Sequence, residues 1–277
     1  MKYFLIVIIF LFSSRLSCLY SQWFVEVGGG YAFSWAPDDI PDGNINEIES
    51  GIRNIEISNA SFGAGIHYNA TVGRKISNIL KIECQFAYLD GKTYRRQVKF
   101  ISAELNEYYS GNILWITPGI NIELNQNKKV SPYARIGIAI GIIGKIQRNQ
   151  IIDDKQNNII VSEFSFSKGI ALGVSSSIGL QYNIPTKYNV NNRWKIFSEL
   201  RLLSSSYGPD EGNFEKYLVN GEDQISTFSL NQKIFEYKDN YLKNENQPID
   251  DTKPTIALKR YYPFSSLGVN IGIVFSF

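Results

Sequence analysis

Apolar and polar residues alternate one by one along most of the chain. The C-terminal stretch shows it most cleanly, with Leu267, Val269, Ile271, Ile273, Phe275 and Phe277 on one parity and Ser266, Gly268, Asn270, Gly272 and Ser276 on the other. A side-chain period of two is that of a β-strand with unlike faces. The stretch from Phe164 to Ile184 repeats it for 21 residues, with Lys168 the one charge on its apolar parity, and reads as a single strand. Segments 23–35, 60–73, 79–91, 109–124, 130–146 and 193–207 follow the same pattern, which makes eight strands.

The gaps between these strands are 24, 5, 17, 5, 17, 8 and 56 residues in chain order, so long and short connections alternate without exception. In an up-and-down antiparallel sheet that places every long loop at one end. The short polar turns 74–78, 125–129 and 185–192 and both termini then share the other end. Short periplasmic turns and long extracellular loops are the asymmetry of bacterial transmembrane barrels. The expected fold is therefore all-β, an eight-stranded antiparallel up-and-down transmembrane β-barrel over residues 22–277. Its strands of 13 to 21 residues exceed the roughly 9 to 11 needed to cross a bilayer, and should project beyond the outer surface.

A soluble barrel of eight strands would put its apolar face inward, so the facing has to be decided from the polar parity. That parity is mostly Gly, Ser, Ala and Asn, not the Lys and Glu of a solvated face, and small residues suit a narrow interior. Aromatics near the strand ends fit two interfacial girdles. Trp23, Trp194, Tyr182 and Phe277 would form the one at the turn end, and Tyr31, Phe33, Trp35, Phe62, Tyr88 and Phe164 the one at the loop end.

Composition adds a leader and removes several functions. Lys2, the ten-residue apolar run Tyr3 to Phe12 and the small polar stretch Ser13 to Ser21 read as a secretory signal peptide over 1–21, with cleavage before Gln22. The run is too short to span a membrane. Cleavage after Ser17 and lipidation of Cys18 are competing readings, the latter opposed by the nearby Arg15. Without Lys2 and Arg15 the chain carries 26 basic and 26 acidic residues, which does not suggest a nucleic-acid binder. Loss of Cys18 leaves Cys84 as the only thiol, so no intramolecular disulfide is expected.

The opening Gln22-Trp23-Phe24-Val25-Glu26-Val27-Gly28-Gly29-Gly30-Tyr31 and the ending Gly268-Val269-Asn270-Ile271-Gly272-Ile273-Val274-Phe275-Ser276-Phe277 resemble the small outer-membrane β-barrel family of Bacteroidota-type bacteria, of OmpA/OmpX-like architecture. The resemblance implies a bacterial outer-membrane location with both termini periplasmic. It also implies that the terminal strand, with Phe275 and Phe277, is the signal read by the barrel-assembly machinery. The family is functionally heterogeneous and brings no catalytic motif.

Parity directs Glu26, Lys81, Glu83, Glu123, Arg135, Lys195, Glu199 and Arg201 into the lumen. Four acids and four bases in a narrow interior suggest paired charges forming a packed polar core, not an open diffusion pore. His67 is the only histidine and the one residue to weigh for lipid-modifying chemistry, but its parity places it inside, near mid-strand, away from the outer leaflet. Asp38, Asp39, Asp42 and Asn44 could hold Ca²⁺ weakly, though they lack the bidentate Glu of a full loop, and solvated turn residues explain them equally well. The last loop, 208–263, is long enough to need structure of its own. It holds ten acids and seven bases, and its stretch Ile225 to Leu242 fits a strand or a short helix; Phe228, Phe235, Tyr237 and Tyr241 could serve adhesion or packing within the loop.

The expected function is structural or adhesin-like surface interaction by a monomeric barrel, with outer-membrane lipids, lipopolysaccharide and the assembly machinery as partners. No enzyme, cofactor or metal is expected. A lipid-modifying enzyme built on His67 and a narrow channel for small apolar molecules are the alternatives.

Overall fold

The computed structural model describes residues 22–35, 38–39, 44–49, 52–56, 59–124, 128–156, 158–185, 193–241 and 250–277. The signal peptide expected over 1–21, Cys18 within it, and Asp42 lie outside these residues. Eight long strands close into a barrel: β1 (Trp23–Ser34), β2 (Gly65–Lys75), β3 (Leu80–Gly91), β4 (Glu104–Glu123), β5 (Val130–Asp153), β6 (Ile170–Asn183), β7 (Trp194–Gly208) and β8 (Ser266–Ser276). Each pairs antiparallel with its chain neighbour, and β1 pairs with β8 from Phe24↔Ser276 to Ser34↔Ser266, which completes the ring. Closure leaves no free edge within the ring, so every strand finds partners on both sides. No helix among the described residues is long and apolar enough to cross a membrane.

The outward row carries Val27, Ile66, Ile82, Ile136, Ile138, Leu172, Ile178 and Ile271, all exposed. The inward row is polar or small where these face out. Phe197 illustrates why small residues are needed inside: a Cβ on Gly28 would sit 2.7 Å from its ring, and one on Gly272 would collide with it as well. Among the expected girdle residues, Trp23, Trp194, Tyr182, Phe277, Tyr31, Phe33, Trp35 and Tyr88 are exposed at the two ends of this belt.

Two girdle assignments are corrected. Phe62 is 3% exposed and Phe164 4% exposed, both facing inward. Phe62 precedes β2 in a turn and not on a strand, where its N–H donates to the Pro263 carbonyl at 2.8 Å. Phe164 lies on a separate strand, Ile159–Ser167, because the expected 21-residue strand breaks at Lys168 and Gly169. Lys168 adopts a φ of 63°, in the left-handed region. Its Nζ reaches Glu211 at 2.6 Å, which explains the odd charge on an apolar parity. Across the break the inward parity changes from Ala171 and Ser175 to Phe164 and Phe166.

The wall continues past the apolar belt at the end opposite the termini. β4 and β5 run on to Glu104 and Asp153, with a bulge between Gly141 and Ile143 that shifts the register. The sheet widens there by adding Tyr94–Lys99 beside β4 and Ile159–Ser167 beside β5, with Glu211–Val219 paired in turn to Ile159–Ser167. The hairpin Asn44–Glu49 and Ile52–Glu56 joins through a parallel pairing with Tyr94–Lys99, Ile45↔Val98 and Asn46↔Lys99. Within the last loop both readings of Ile225 to Leu242 occur in succession: the helical turn Leu230–Lys233 leads directly into the strand Ile234–Lys238.

Candidate functional site: the filled lumen

The interior of the barrel is built in layers, and the strand register sets which side chains meet. At the turn end, Glu123 of β4 receives Lys195 of β7 at 2.6 Å and also pairs with Lys81 of β3. Next along the axis, Arg135 of β5 donates through Nη1 and Nη2 to both oxygens of Glu26 on β1, at 2.9 and 3.0 Å. Its Nε lies 3.5 Å from Glu83 and 3.4 Å from Glu199. Arg135 is therefore the single cation among three carboxylates, and its guanidinium lies 4.9 Å from the centre of the Tyr133 ring. A guanidinium suits this place because its fork of donors is fixed in a plane and can serve several oxygens at once.

The remaining carboxylate lone pairs are taken by neutral donors. Glu199 accepts from the Tyr133 hydroxyl at 2.9 Å, the Ser177 hydroxyl at 3.0 Å and the Asn270 amide at 2.8 Å, while Glu83 accepts from Asn121 at 3.0 Å. Such satisfaction is what allows charges to be held away from water, since an isolated buried ion would cost several kcal/mol.

Seven of the eight lumen charges read from parity enter ion pairs, and Arg201 is the exception. Its Nε donates to the Ser175 hydroxyl at 3.0 Å, and its buried Nη2 has no partner among the described residues. Beside it, His67 is 5% exposed, with Nε2 in a short hydrogen bond to Asn270 Oδ1. Between this level and the next lies a cavity of only about 20 Å³, with His67, Arg201, Trp115 and Leu203 in its lining.

The layer above was not legible in the sequence. Trp115, Ile113, Ala139, Ile146, Leu203, Tyr207 and Phe264 are buried together inside the barrel, and Phe62, Tyr109, Phe164 and Phe166 continue the cluster outward. Phe264 meets Phe62, Trp115 and Tyr207 at ring distances of 5.8, 6.5 and 5.9 Å. The Tyr207 hydroxyl donates to the Gly144 carbonyl at 2.7 Å. Phe235 and Tyr237 of the last loop pack on the same cluster, and Phe228 packs against Phe214 and Tyr217. A buried pair, Arg96 with Glu107 at 2.5 Å, lies above it. Its one trace in the sequence is the change of inward residues along β4 from Glu123, Asn121 and Thr117 to Trp115, Ile113 and Tyr109, which does not say what those residues meet.

Among the described residues no group of three His, Cys, Asp or Glu side chains could hold a metal. Asn44, one of the residues weighed for Ca²⁺, has its Oδ1 accepting the Gln97 N–H at 2.8 Å. Asp38 and Asp39 form a short strand with Asn59–Ala60. At the turn end Phe277 closes the ring through its N–H to the Trp23 carbonyl at 2.9 Å, and its ring stacks on Phe275 at 6.0 Å.

Comparison with known proteins places this arrangement. The family model of the outer membrane protein beta-barrel domain matches residues 6–230. No curated protein matches the chain. Among solved structures, Neisserial surface protein A is similar at 10% identity and a TM-score of 0.36, over 94% of this chain and 100% of that one. Ail, the attachment invasion locus protein of Yersinia pestis, is similar at 12% identity and a TM-score of 0.32, over 93% and 97%.

Proposed function

From the premise that the chain belongs to the outer membrane β-barrel domain family, and so to the bacterial outer membrane, we propose that it is a sealed barrel whose task is surface interaction. In this reading it works as a monomer without catalysis or a cofactor, embedded among outer-membrane lipids and lipopolysaccharide. Both termini lie on the periplasmic side, and Phe275 and Phe277 serve as the assembly signal. The observation that carries the proposal is the double filling of the lumen, by an ion-pair layer at the turn end and an aromatic cluster at the loop end. A diffusion pore needs continuous polar space, and the buried cluster of Trp115, Tyr207 and Phe264 interrupts it. The material instead goes into a widened sheet beyond the apolar belt, a rigid platform of the kind on which exposed binding residues are displayed.

His67 supports this reading more than a lipid-modifying one. Its ring is buried inside the barrel against Asn270, whereas acyl chains lie outside the wall.

The test is conductance of the refolded protein in planar bilayers. No current steps are expected; stable ohmic steps would overturn the sealed-barrel reading in favour of a channel. Acyl analysis of lipid A incubated with the protein should show no change, and a changed chain pattern that His67→Ala abolishes would restore the enzyme.

A further inference from the structure

Where the hairpin Asn44–Glu49 and Ile52–Glu56 meets Tyr94–Lys99, the widened sheet forms an open cleft of about 350 Å³. Its lining includes Asn44, Asn46 and Asn54 from the hairpin and Arg95, Gln97 and Lys99 from the neighbouring strand, with Glu56 at one side. Register explains the clustering. Asn46 pairs with both Asn54 and Lys99, and Gln97 pairs with Asn106 on β4, so amide side chains fall on one face in adjacent rows.

We propose that this cleft is a glycan-binding site that takes an acidic oligosaccharide, a chain of hydroxyl-rich sugars bearing carboxylates. The proposal rests on the surface-display reading, which places the cleft outside the cell. Asn44 Oδ1 and Gln97 Nε2 are engaged within the protein, whereas the Asn46 and Asn54 amides each carry two N–H donors and a carbonyl acceptor side by side, which matches a pair of neighbouring sugar hydroxyls. Ile45 is the one apolar residue in the lining. Pockets for drug-like molecules or apolar peptide side chains are lined mainly by hydrophobic groups, so the chemistry here favours sugar over peptide.

The lining is also held in place. Gln97 Nε2 donates to Glu104 at 2.7 Å, and Arg95 Nη2 donates to Asn106 at 2.7 Å with its guanidinium 5.9 Å from the Tyr108 ring centre. Hydrogen bonds from the Asn106 and Gln97 amides hold the Glu104 carboxyl below the ordinary carboxylate range, so it stays an acceptor for them. Among the described residues neither Arg95 nor Lys99 forms an ion pair, in contrast to Lys145, Lys168 and Lys259 elsewhere on this part of the molecule. Lys99 faces Glu104 across the ladder and its charge acts on that carboxyl, so the cation left for a ligand carboxylate beside the row of fixed amides is chiefly Arg95, whose guanidinium can bind one through two parallel bonds.

The experiment uses full-length protein refolded in detergent at about 150 mM salt, where surface attraction over long range is screened. The probes are an oligosaccharide of alternating glucuronate and N-acetylglucosamine, a neutral N-acetylglucosamine oligomer, purified lipopolysaccharide core oligosaccharide and polyglutamate. The acidic sugar should bind at least about tenfold more tightly than the neutral one. Arg95→Gln with Lys99→Gln should abolish that preference, and Asn54→Ala should weaken both sugars several-fold. Arg95→Lys, which keeps charge and loses the fork, should recover only part of the preference.

Stronger binding of the core oligosaccharide would assign the cell's own outer leaflet as the source, and stronger binding of the free acidic sugar a foreign glycan. Equal affinity for acidic and neutral sugar, a preference surviving the double substitution, or competition by polyglutamate as strong as by sugar would each overturn the site. The same preparation, measured for conductance, separates the two ideas. Silent bilayers without sugar binding remove the cleft alone, and current with intact sugar binding removes the sealed barrel alone.

Discussion

The two ends of the barrel wall obey opposite rules. Along β4, the inward residues Glu123, Asn121 and Thr117 are polar, while outward Ile122, Ile120 and Ile116 are apolar. Further along the same strand the inward positions become Trp115, Ile113 and Tyr109, and the outward ones Asn112, Ser110, Asn106 and Glu104. β3 turns over in the same way, from inward Lys81, Glu83 and Gln85 to Ala87 and Leu89, and from outward Ile82 and Phe86 to Asp90. The level of this inversion marks where the wall leaves lipid. Below it, polar groups cannot reach water on either side and must satisfy one another; above it, the wall is an ordinary globular sheet with a dry interior and a wet exterior.

The comparison is tested hardest at Arg135. Replacing it with Met leaves Glu26, Glu83 and Glu199 without their shared cation, and loss of one partner from a buried charge set costs about 3 to 5 kcal/mol. The heat-modifiable folded form should fail to accumulate, or should unfold at a much lower urea concentration. An unchanged midpoint would mean that the lower lumen is not a coupled network.

In the upper half the corresponding change is Trp115→Ala, which removes a 1% exposed ring from contact with Phe264. A large-to-small change in a packed core costs about 3 kcal/mol or somewhat more. Because the cluster joins the barrel to the last loop through Phe235 and Tyr237, limited proteolysis should cut within 208–263 well before the barrel itself is lost. Simultaneous loss of loop and barrel would show that the two halves fold as one unit.

The position of the inversion can be sharpened with two outward lysines on β5. Ile138 lies within the apolar belt and Gln147 beyond the bulge between Gly141 and Ile143. Ile138→Lys should destabilise the barrel by about 2 to 4 kcal/mol, and Gln147→Lys by about 0 to 1, following the depth dependence for lipid-facing charges. Equal effects in lipid vesicles would move the membrane boundary away from the bulge.

The same inversion explains what could be read in the sequence. The eight strands and the lumen charges were legible because lipid forces a single parity on each strand for its whole passage, as in β8 and in β6 from Ile170 onward. Beyond the membrane that constraint ends. The bulge between Gly141 and Ile143 leaves both Ile142 and Ile143 exposed, and the turn at Lys168 resets the count, so parity carried past either point assigns the wrong face, as it did for Phe164. The aromatic cluster draws Phe62, Tyr109, Phe164, Tyr207 and Phe264 from separate parts of the chain, and no local pattern announces a contact of that kind. The cleft was equally hidden, because it depends on a parallel pairing between two loops.

Among the lumen cations the smallest effect is expected at Arg201, and it distinguishes a network from a collection of charges. On parity alone Arg201 belongs with the other lumen cations, and its replacement by Met should then cost several kcal/mol. Its geometry differs: it holds Ser175 at 3.0 Å and, among the described residues, no carboxylate within ion-pair distance. Glu199, the acid nearest in kind, keeps Arg135, Tyr133, Ser177 and Asn270 when Arg201 is gone. Arg201→Met should therefore cost about 1 kcal/mol, the value of one neutral-partner hydrogen bond, offset in part by removing an unpartnered Nη2 from the interior. In urea titrations read by gel mobility its midpoint should lie close to wild type and far above that of Arg135→Met. A loss as large as at Arg135 would mean that Glu199 depends on Arg201 through the interior field and not through contact, and the division of the lumen into a layer centred on Arg135 and a separate site beside His67 would have to be abandoned.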